Sequence, residues 1–301
     1  MIDINKYSEF MSIGLIQTTL DHEVAWADTS SVLINEYEGE RIWEQIISGV
    51  KNISQSGKGP DIILMPELTI PNRHIKDLCN ISCSINSIII AGVDYNCVDN
   101  GVKNQAILII PDNWPDSYGS GCKKIFFGKY HFAREEDKII REHGFNPVKQ
   151  SKFYLFDAGN LGKFGVAICS DFFDIERFAI YQGQVQHIFI LAYNQDITSF
   201  YFLAEAISRI VFCNVVICNT GYHGGSIAFS PYNSSFRRYI YKHEGAKLFN
   251  SQLVKVPVKS LIIAQNDNDE NEKMGANRFK YMPPGYEFND FGYYRMQKEV
   301  L

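Results

Sequence analysis

Short apolar runs alternate along this chain with longer amphipathic stretches, and this alternation constrains the fold more than any other feature. Runs such as 61–65 (DIILM), 88–93 (IIIAGV) and 105–110 (QAILII) have the length of buried strands. Residues 37–55 instead space their apolar side chains as one face of a helix does, and the breaker run 56–60 (SGKGP) follows them. The pattern predicts an α/β fold in which helices pack on sheets.

Further strands are predicted along the rest of the chain, each at a short apolar run. The strand at 61–65 is expected to end at Pro66, and a second helix is expected at about 198–212. The remaining strand predictions are 12–18, 154–157, 163–169, 187–192, 214–219 and a late strand region at 254–264.

The composition excludes several classes of protein. The 301 residues are 46% hydrophobic and 21% charged, which is typical of a globular chain and not of a collagen-like, disordered or disulfide-scaffold one. A net charge of -5 without a long basic stretch argues against nucleic-acid binding. The first ten residues do not read as a signal peptide, and no apolar run approaches the ~20 residues of a membrane span. Seven cysteines without regular spacing fit reduced thiols, so we expect a cytoplasmic protein without a membrane partner.

Two segments near the end of the chain have biased compositions. Residues 265–273 (QNDNDENEK) are polar and acidic, but a calcium loop would need Gly at Glu272 and Glu at Arg278, so we predict a solvated loop. Residues 282–294 (MPPGYEFNDFGYY) are rich in aromatic side chains, and we expect them to pack on their own domain or on a partner subunit.

One cysteine stands where a strand is predicted to end. Cys169 follows the apolar run 164–168 (FGVAI) and precedes Ser170, so it would be presented at the edge of a sheet. Such a thiol can meet a substrate together with the N–H groups of the following turn. A small core side chain is the alternative for Cys169, and it is our interpretation of Cys213 and Cys218.

A carboxylate and an ammonium group also lie next to or within short apolar or aromatic runs, as Cys169 does. Glu67 follows a buried strand, where desolvation would raise its pKa and suit it to act as a general base. Lys129 lies within the aromatic run 126–132 (FFGKYHF). Taken singly, Glu67 could be a helix cap or an ion-pair partner, and Lys129 a solvated surface lysine. Together with Cys169 they would supply a nucleophile, a base and a partner for an oxyanion.

These residues carry a resemblance to a known family. The chain resembles the nitrilase (carbon–nitrogen hydrolase) superfamily, whose catalytic residues are Glu, Lys and Cys in that order. Lys129 follows Glu67 by 62 residues, and Cys169 follows Lys129 by 40. The similarity covers about 11–264, and the segments that carry it are 61–71 (DIILMPELTIP), 128–132 (GKYHF), 165–171 (GVAICSD), 219–221 (NTG) and 224–226 (GGS).

The resemblance implies a fold and an assembly. The fold would be a four-layer α-β-β-α sandwich, with residues 1–264 as a single carbon–nitrogen hydrolase domain and 265–301 as an acidic loop and aromatic tail. Members of this family usually pair through helices that flank the Cys and Lys loops, so a homodimer or larger homo-oligomer is expected.

The resemblance also implies a reaction without a metal or cofactor. Cys169 would attack an amide, carbamoyl or nitrile carbon after giving its proton to Glu67, and water would then hydrolyse the thioester. Lys129 and the backbone N–H of Ser170 would stabilise the oxyanion. Many members carry a second Glu shortly after the Lys. Glu135 and Glu136 are the candidates for it, and we favour Glu136.

The sequence departs from the family pattern at two places. Ser208-Arg209 stands where a Glu-Asn pair is common, and Ser170 stands where many members have a bulky residue. Both departures leave the substrate open among amides, carbamoyl compounds and nitriles.

Three other functions are alternatives for this chain. A metal hydrolase is disfavoured because the seven histidines are scattered. A papain-like thiol hydrolase is disfavoured because it would leave the positions of Glu67 and Lys129 unexplained. The main alternative is a nitrilase-like domain that serves as a binding or assembly module.

Overall fold

The structure, a computed structural model, describes residues 3–28, 30–54, 59–286 and 296–301. Its strands are β1 Phe10–Gln17, β2 Ile62–Ile70, β3 Ile88–Val98, β4 Gly101–Pro111, β5 Cys122–Gly128, β6 Asn146–Pro147, β7 Phe153–Asp157, β8 Lys163–Ile168, β9 His187–Ala192, β10 Asn214–Asn219, β11 Ser226–Phe229, β12 Tyr239–His243, β13 Asn250–Pro257 and β14 Met296–Val300. Its helices are α1 His22–Ala25, α2 Glu36–Ile53, α3 Ile75–Ile85, α4 Arg134–Glu142, α5 Ile175–Tyr181, α6 Ile197–Ile207, α7 Ser235–Arg238, α8 Lys259–Asn266 and α9 Asn268–Lys273.

The described strands form two mixed sheets. The first has the order β13-β1-β2-β3-β4-β5, with β6 paired to β4, and its parallel centre is β1, β2 and β3. The second has the order β12-β11-β10-β9-β8-β7-β14, with a parallel centre of β8, β9 and β10. The carboxyl ends of parallel strands lie at one edge of a sheet, so each sheet presents the residues that follow its central strands together.

The two sheets face each other and carry helices on their outer faces. Along β2, Ile62 and Leu64 join the core between the sheets, whereas Ile63 and Met65 join a second core under α2 and α3. This alternation buries both faces of the strand, as expected for a layered α/β protein. The predicted four-layer α-β-β-α sandwich is confirmed.

Helix α2 shows how the local sequence determines these elements. Asn35 caps the helix, since its side-chain oxygen accepts a hydrogen bond from the backbone N–H of Glu38 at 2.9 Å. Ile42, Ile46 and Val50 recur every four residues and are buried in the outer core of the first sheet. The helix predicted at 37–55 is therefore confirmed as far as Ile53, and residue 55 lies outside the described residues. The helix predicted at 198–212 is also confirmed, where α6 continues into the π-helical turn Ser208–Phe212.

Several strand predictions were wrong in their extent. Strand β3 continues five residues beyond the predicted 88–93, and β4 begins four residues before the predicted 105–110. Strand β2 continues through Pro66 to Ile70, because its pairing with β3 shifts register between Met65 and Ile70, and an irregular segment can accommodate a residue that lacks an N–H. The late strand region predicted at 254–264 is divided between β13 and the first residues of α8.

The acidic segment was wrongly predicted as a loop. It comprises the end of α8 and the whole of α9, and Asp267 caps α9 by accepting hydrogen bonds from the backbone N–H groups of Asp269 and Glu270. Asn271 is buried within it and donates to the carbonyl oxygen of Phe279 at 3.1 Å. An acidic first turn favours a helix, since it faces the positive end of the helix dipole.

The aromatic tail is only partly described. Met282 and Tyr286 pack against a small apolar cluster that contains Phe212 and Phe279. Residues 287–294 of the predicted tail lie outside the described residues. Beyond them, β14 pairs in parallel with β7 at the edge of the second sheet.

None of the helices in the described part of the chain combines the length and the apolar character that crossing a membrane requires.

A buried carboxyl group on β3 gives a prediction about stability. Asp94 is buried, and its two oxygens accept hydrogen bonds from the backbone N–H groups of Ile34 and Tyr95. Burial raises the pKa of Asp94 to about 7, although these two hydrogen bonds oppose the shift. At pH values between the ordinary pKa of Asp94 in the unfolded chain and about 7, Asp94 holds a proton in the folded protein that it has lost in the unfolded chain. The stability that this proton contributes is complete below the unfolded pKa of Asp94 and disappears as the pH rises through 7.

We therefore expect the free energy of unfolding of the wild type to fall, relative to that of Asp94→Asn, by about 3 kcal/mol between pH 4 and pH 8. Urea unfolding of both proteins at several pH values measures this difference. Parallel pH dependences of the two proteins would contradict the prediction.

Candidate active site

Glu67 lies in the irregular part of β2, where the strand reaches the edge of the first sheet. Leu68, its neighbour, has a φ of 52°, a left-handed conformation that a non-glycine residue adopts at a cost. On the adjacent strand, a Cβ on Gly92 would lie 2.4 Å from the Cα of Glu67, so only glycine permits this close approach. The bulge and the glycine together direct the Glu67 carboxylate into a site where it is 2% exposed.

Lys129 follows β5 directly, and its ammonium group is held by two carboxylates. Its Nζ donates to Glu67 Oε1 at 2.7 Å and to Glu136 Oε2 at 2.6 Å, and the residue is 1% exposed. Burial alone would lower the pKa of Lys129, but the charges of Glu67 and Glu136 outweigh it and hold this pKa well above its ordinary value. Lys129 therefore remains a cation throughout the physiological pH range.

Cys169 begins the short 3₁₀ turn Cys169–Phe173 that follows β8. Its φ is 47°, again in the left-handed region, and it is 8% exposed. The Sγ atom lies 3.9 Å from the carbonyl oxygen of Tyr193, the residue that follows β9. Burial raises the pKa of the Cys169 thiol, and the charge of Glu67 raises it further, while Lys129 opposes both effects. The thiol is therefore protonated at neutral pH and needs a base to react.

The structure places Glu136, and not Glu135, against Lys129. Glu136 lies in the first turn of α4, where its Oε2 also accepts a hydrogen bond from the backbone N–H of Ala133 at 3.3 Å. Glu135, one position earlier in the helix, is exposed. Ser170, the other supporting residue of the sequence prediction, lies in the turn beside Cys169, and its hydroxyl donates to the carbonyl oxygen of His131.

Two side chains that hydrogen-bond to Glu67 or Glu136 were missed by the sequence analysis. Asn104 of β4 donates through Nδ2 to Oε1 of Glu67 at 2.7 Å and to Oε1 of Glu136 at 2.6 Å. The buried hydroxyl of Tyr95 on β3 donates to Oε1 of Glu136 at 3.2 Å. The sequence carries one signal for Asn104, since it is a polar residue directly before the apolar run 105–110. Nothing in the sequence distinguished Tyr95 from a core aromatic residue.

The hydrogen bonds distinguish the two carboxylates. The oxygens of Glu136 accept four donors, namely Lys129, Asn104, Tyr95 and the N–H of Ala133. Those of Glu67 accept three, of which only the backbone N–H of Tyr193 binds Oε2, at 3.1 Å. The four donors occupy the acceptor positions of Glu136, whereas Oε2 of Glu67 keeps one acceptor position that no donor in the described part of the chain fills. Burial raises the pKa of Glu67, and Lys129 opposes this effect, so Glu67 is the group suited to gain and lose a proton.

Comparisons with known proteins identify the fold. No protein-family model matches the chain, and no curated protein matches it. Among solved structures, a member of branch 10 of the nitrilase superfamily from Saccharomyces cerevisiae is 15% identical, over 87% of this chain and 95% of that one, with a TM-score of 0.60. An amidase from Nesterenkonia sp. is 14% identical, over 88% and 95%, with a TM-score of 0.57. A CN-hydrolase superfamily protein from Xanthomonas campestris, with an arsenic adduct in its active site, is 13% identical, over 82% and 91%, with a TM-score of 0.55. The chain has the nitrilase fold.

Within this nitrilase fold, the buried carboxylate of Asp171 joins the loop of Lys129 to the loop of Cys169. The carboxylate of Asp171 accepts hydrogen bonds from the backbone N–H groups of Tyr130 and His131, the two residues after Lys129. It also pairs with Arg177 of α5, with 3.0 Å between Arg177 Nη2 and Asp171 Oδ2. Because Asp171 lies two residues after Cys169, one carboxylate fixes both loops. Its position in the segment 165–171 was visible in the sequence, but its partners were not.

The motifs NTG and GGS have a structural role in the nitrilase fold. Asn219, the last residue of β10, accepts a hydrogen bond from the backbone N–H of Asn194 at 2.9 Å and donates to its carbonyl oxygen at 2.7 Å. Asn219 also donates to the carbonyl oxygen of Gly224, whose φ of 76° favours glycine. These bonds hold the turn after β9, from which Tyr193 contacts both Glu67 and Cys169.

Proposed function

We propose that this protein is a divergent member of the nitrilase superfamily that hydrolyses non-peptide carbon–nitrogen bonds of small amides, carbamoyl compounds or nitriles. The observation that supports this function best is the buried cluster of Glu67, Lys129 and Glu136 beside a protonated thiol, that of Cys169. The cluster combines two carboxylates with one ammonium group, and such an arrangement is costly to bury unless it is used.

For an amide, the first step forms a bond between sulfur and carbon. Glu67 takes the thiol proton as the Sγ atom of Cys169 attacks the carbonyl carbon. The carbonyl oxygen becomes an oxyanion that Lys129 and the N–H of Ser170 stabilise; losing one such donor typically costs about 10²–10³ in rate. The carbon–nitrogen bond then breaks, and ammonia or an amine leaves with the proton that Glu67 had taken.

The second half of the reaction consumes water. The acyl group is now a thioester on Cys169, and Glu67 is again a carboxylate. It removes a proton from water, whose oxygen attacks the thioester carbon, and the sulfur leaves as the acid product forms. The proton on Glu67 returns to the sulfur, which restores the thiol.

Tyr95 and Asn104 have a supporting role in this proposal. Their donated hydrogen bonds fix the position of the Glu136 carboxylate beside Lys129. Glu136 then orients the ammonium group of Lys129 while Glu67 exchanges its proton. Neither residue contacts the reacting atoms in this scheme, so both are positioning residues.

The amidase from Nesterenkonia sp. suggests which substrates to test first. Structures of variants of that enzyme contain the acetamide moiety of fluoroacetamide on the active-site cysteine, or bound butyramide. Short aliphatic amides are therefore the first members of a panel, followed by carbamoyl compounds and nitriles. Ammonia release is measured for the wild type, for Cys169→Ala and for Cys97→Ala, which removes an exposed thiol.

We expect ammonia release from at least one class, its loss in Cys169→Ala and its retention in Cys97→Ala. No release across the panel, or equal release by Cys169→Ala, would contradict the proposal. The alternative of a nitrilase-like binding or assembly module would then be favoured.

We also propose that residues 1–264 form the hydrolase domain, with 265–301 packed on it, and that the protein acts in the cytoplasm. The hydrogen bonds from Gln265 to the carbonyl oxygens of Val185 and Phe212, and the pairing of β14 with β7, support the first statement. All seven cysteines are free, which supports a reducing compartment.

A homodimer or larger homo-oligomer is expected, with the helices beside the Cys169 loop as its interface. Ile175 on α5 is 84% exposed and Phe202 on α6 is 72% exposed, which is costly for apolar side chains on a monomer. Phe173 lies in the Cys169 loop and packs against Phe200 of α6, so these exposed residues belong to neighbouring elements. Light scattering after size exclusion should give at least twice the chain mass of 34.4 kDa. A monomeric mass would contradict the proposed dimer.

A further inference from the structure

Three of the seven cysteines meet between α3 and the beginning of β5, and the proposed reaction uses none of them. Cys79 and Cys83 are four residues apart on α3, so they lie on one face of the helix. Cys122 is the first residue of β5. Cys79 is buried, whereas Cys83 and Cys122 are half-buried. We refer to these three residues as the thiol cluster.

Contacts within the thiol cluster place Cys122 next to both other thiols. The Sγ atom of Cys83 donates to the carbonyl oxygen of Gly121 at 3.1 Å, directly beside Cys122. The thiol of Cys122 is also close enough to those of Cys79 and Cys83 to influence their pKa values. In the described part of the chain, no group of three His, Cys, Asp or Glu side chains is arranged to hold a metal ion.

The surroundings raise the pKa values of two thiols of the cluster, those of Cys79 and Cys83. Burial raises the pKa of Cys79 to about 12, and Cys122 adds to this shift, while Lys124 opposes it. Burial also raises the pKa of Cys83, and Cys122 and Asp112 add to that shift. Such thiols react slowly with an oxidant, but once Cys83 is oxidised a second thiol, that of Cys122, lies nearby, since Cys83 contacts the residue before it.

From these contacts we propose that the thiol cluster is a site of reversible oxidation, in which a peroxide converts Cys83 and Cys122 to a disulfide. The thiol of Cys83 attacks the peroxide, and with hydrogen peroxide this gives a sulfenic acid and one water. The sulfur of Cys122 then displaces the hydroxyl group as a second water and forms the disulfide. The two thiols lose two electrons in total, and the peroxide gains them.

The position of the cluster gives the disulfide a structural consequence. Helix α3 follows the strand that carries Glu67, and β5 leads directly to Lys129. A bond between Cys83 and Cys122 would close the chain segment between them and would tie α3 to β5. The oxidised protein should therefore unfold at a higher temperature than the reduced one, because the unfolded chain is constrained.

The test uses the full chain and hydrogen peroxide. Reduced protein is treated with a small excess of peroxide, free thiols are then blocked with N-ethylmaleimide, and the products are mapped by peptide mass spectrometry with and without reduction. We expect a disulfide between Cys83 and Cys122, a raised thermal midpoint, and reversal of both by dithiothreitol. Cys97→Ser, which removes an exposed thiol outside the cluster, should form the same disulfide.

Variants of the thiol cluster test which of its cysteines form the disulfide. Cys83→Ser should divert the disulfide to Cys79 and Cys122, and Cys122→Ser should prevent it. The proposal is overturned if Cys83 and Cys122 of the wild type stay free while Cys97 is oxidised, or if they proceed to sulfinic acid without an intramolecular disulfide. Because the mapping of the wild type is decisive, failure of a variant to fold would not affect the conclusion.

Discussion

Glu67→Gln should lower kcat/KM for the preferred substrate by about 10²–10⁴, the usual contribution of a general base. The substitution keeps the shape of the side chain but removes the group that takes the thiol proton, returns it to the leaving nitrogen and activates water. Glu136 still pairs with Lys129 at 2.6 Å, so the ammonium group keeps one carboxylate partner.

Steady-state kinetics with the best substrate of the ammonia-release panel measures this effect. Glu135→Gln is the matched control, since Glu135 is an exposed glutamate in the same turn as Glu136, and it should retain full activity. A Glu67→Gln enzyme within tenfold of the wild type would show that another group supplies the base.

Asp171→Ala should destabilise the fold by about 3–5 kcal/mol, because it leaves the guanidinium group of Arg177 buried without its nearest carboxylate. Asp174, the other carboxylate near Arg177, is 3.9 Å from its Nε and cannot replace the shorter contact. The backbone N–H groups of Tyr130 and His131 would also lose their acceptor. We therefore expect activity to fall in the fraction of the protein that remains folded.

Urea unfolding of the wild type and of Asp171→Ala measures the loss of stability. Asp137→Ala is a suitable control because it breaks an exposed ion pair, in which Arg141 Nε lies 2.7 Å from Asp137 Oδ2. That variant should unfold nearly as the wild type does, since exposed pairs contribute little. Equal effects of the two substitutions would mean that the buried pair is not a main support of the site.

The layers of the fold were predictable because burial leaves a periodic pattern in the sequence. Strands β9 and β10 are continuous apolar runs, and their bounds were predicted at 187–192 and 214–219. The course of β2 beyond Pro66 was not predictable, because it depends on a register shift against β3. Helix α9 was missed because its polar composition resembles that of a loop, while Asn271 is buried by contacts with Phe279 from outside the helix.

The candidate site was predictable only for residues that sequence motifs mark. Glu67 and Cys169 each follow an apolar run and Lys129 lies within an aromatic one, and the structure brings them together. Asn104 and Tyr95 contribute through contacts across neighbouring strands, which a single sequence does not reveal. The choice between Glu135 and Glu136 likewise depends on the direction of a side chain in the first turn of α4.

The pH dependence of alkylation at Cys169 tests the proposed activation of its thiol most directly. Iodoacetamide is applied to the reduced protein in limiting amount at several pH values, and the extent of labelling is read for each cysteine by peptide mass spectrometry. Exposed Cys97 provides the rate of a thiol outside the site in the same sample. The Glu67→Gln variant is treated in parallel.

If Cys169 and Glu67 share a proton, transfer within the pair makes the rate at Cys169 nearly independent of pH over roughly pH 6.5 to 8.5. Labelling of Cys97 should rise about tenfold per pH unit below its pKa, and Cys169 of Glu67→Gln should behave in the same way. This is the result that a coupled thiol and carboxylate predict. A wild-type Cys169 whose labelling rises in parallel with that of Cys97, unchanged by Glu67→Gln, would contradict the proposed mechanism.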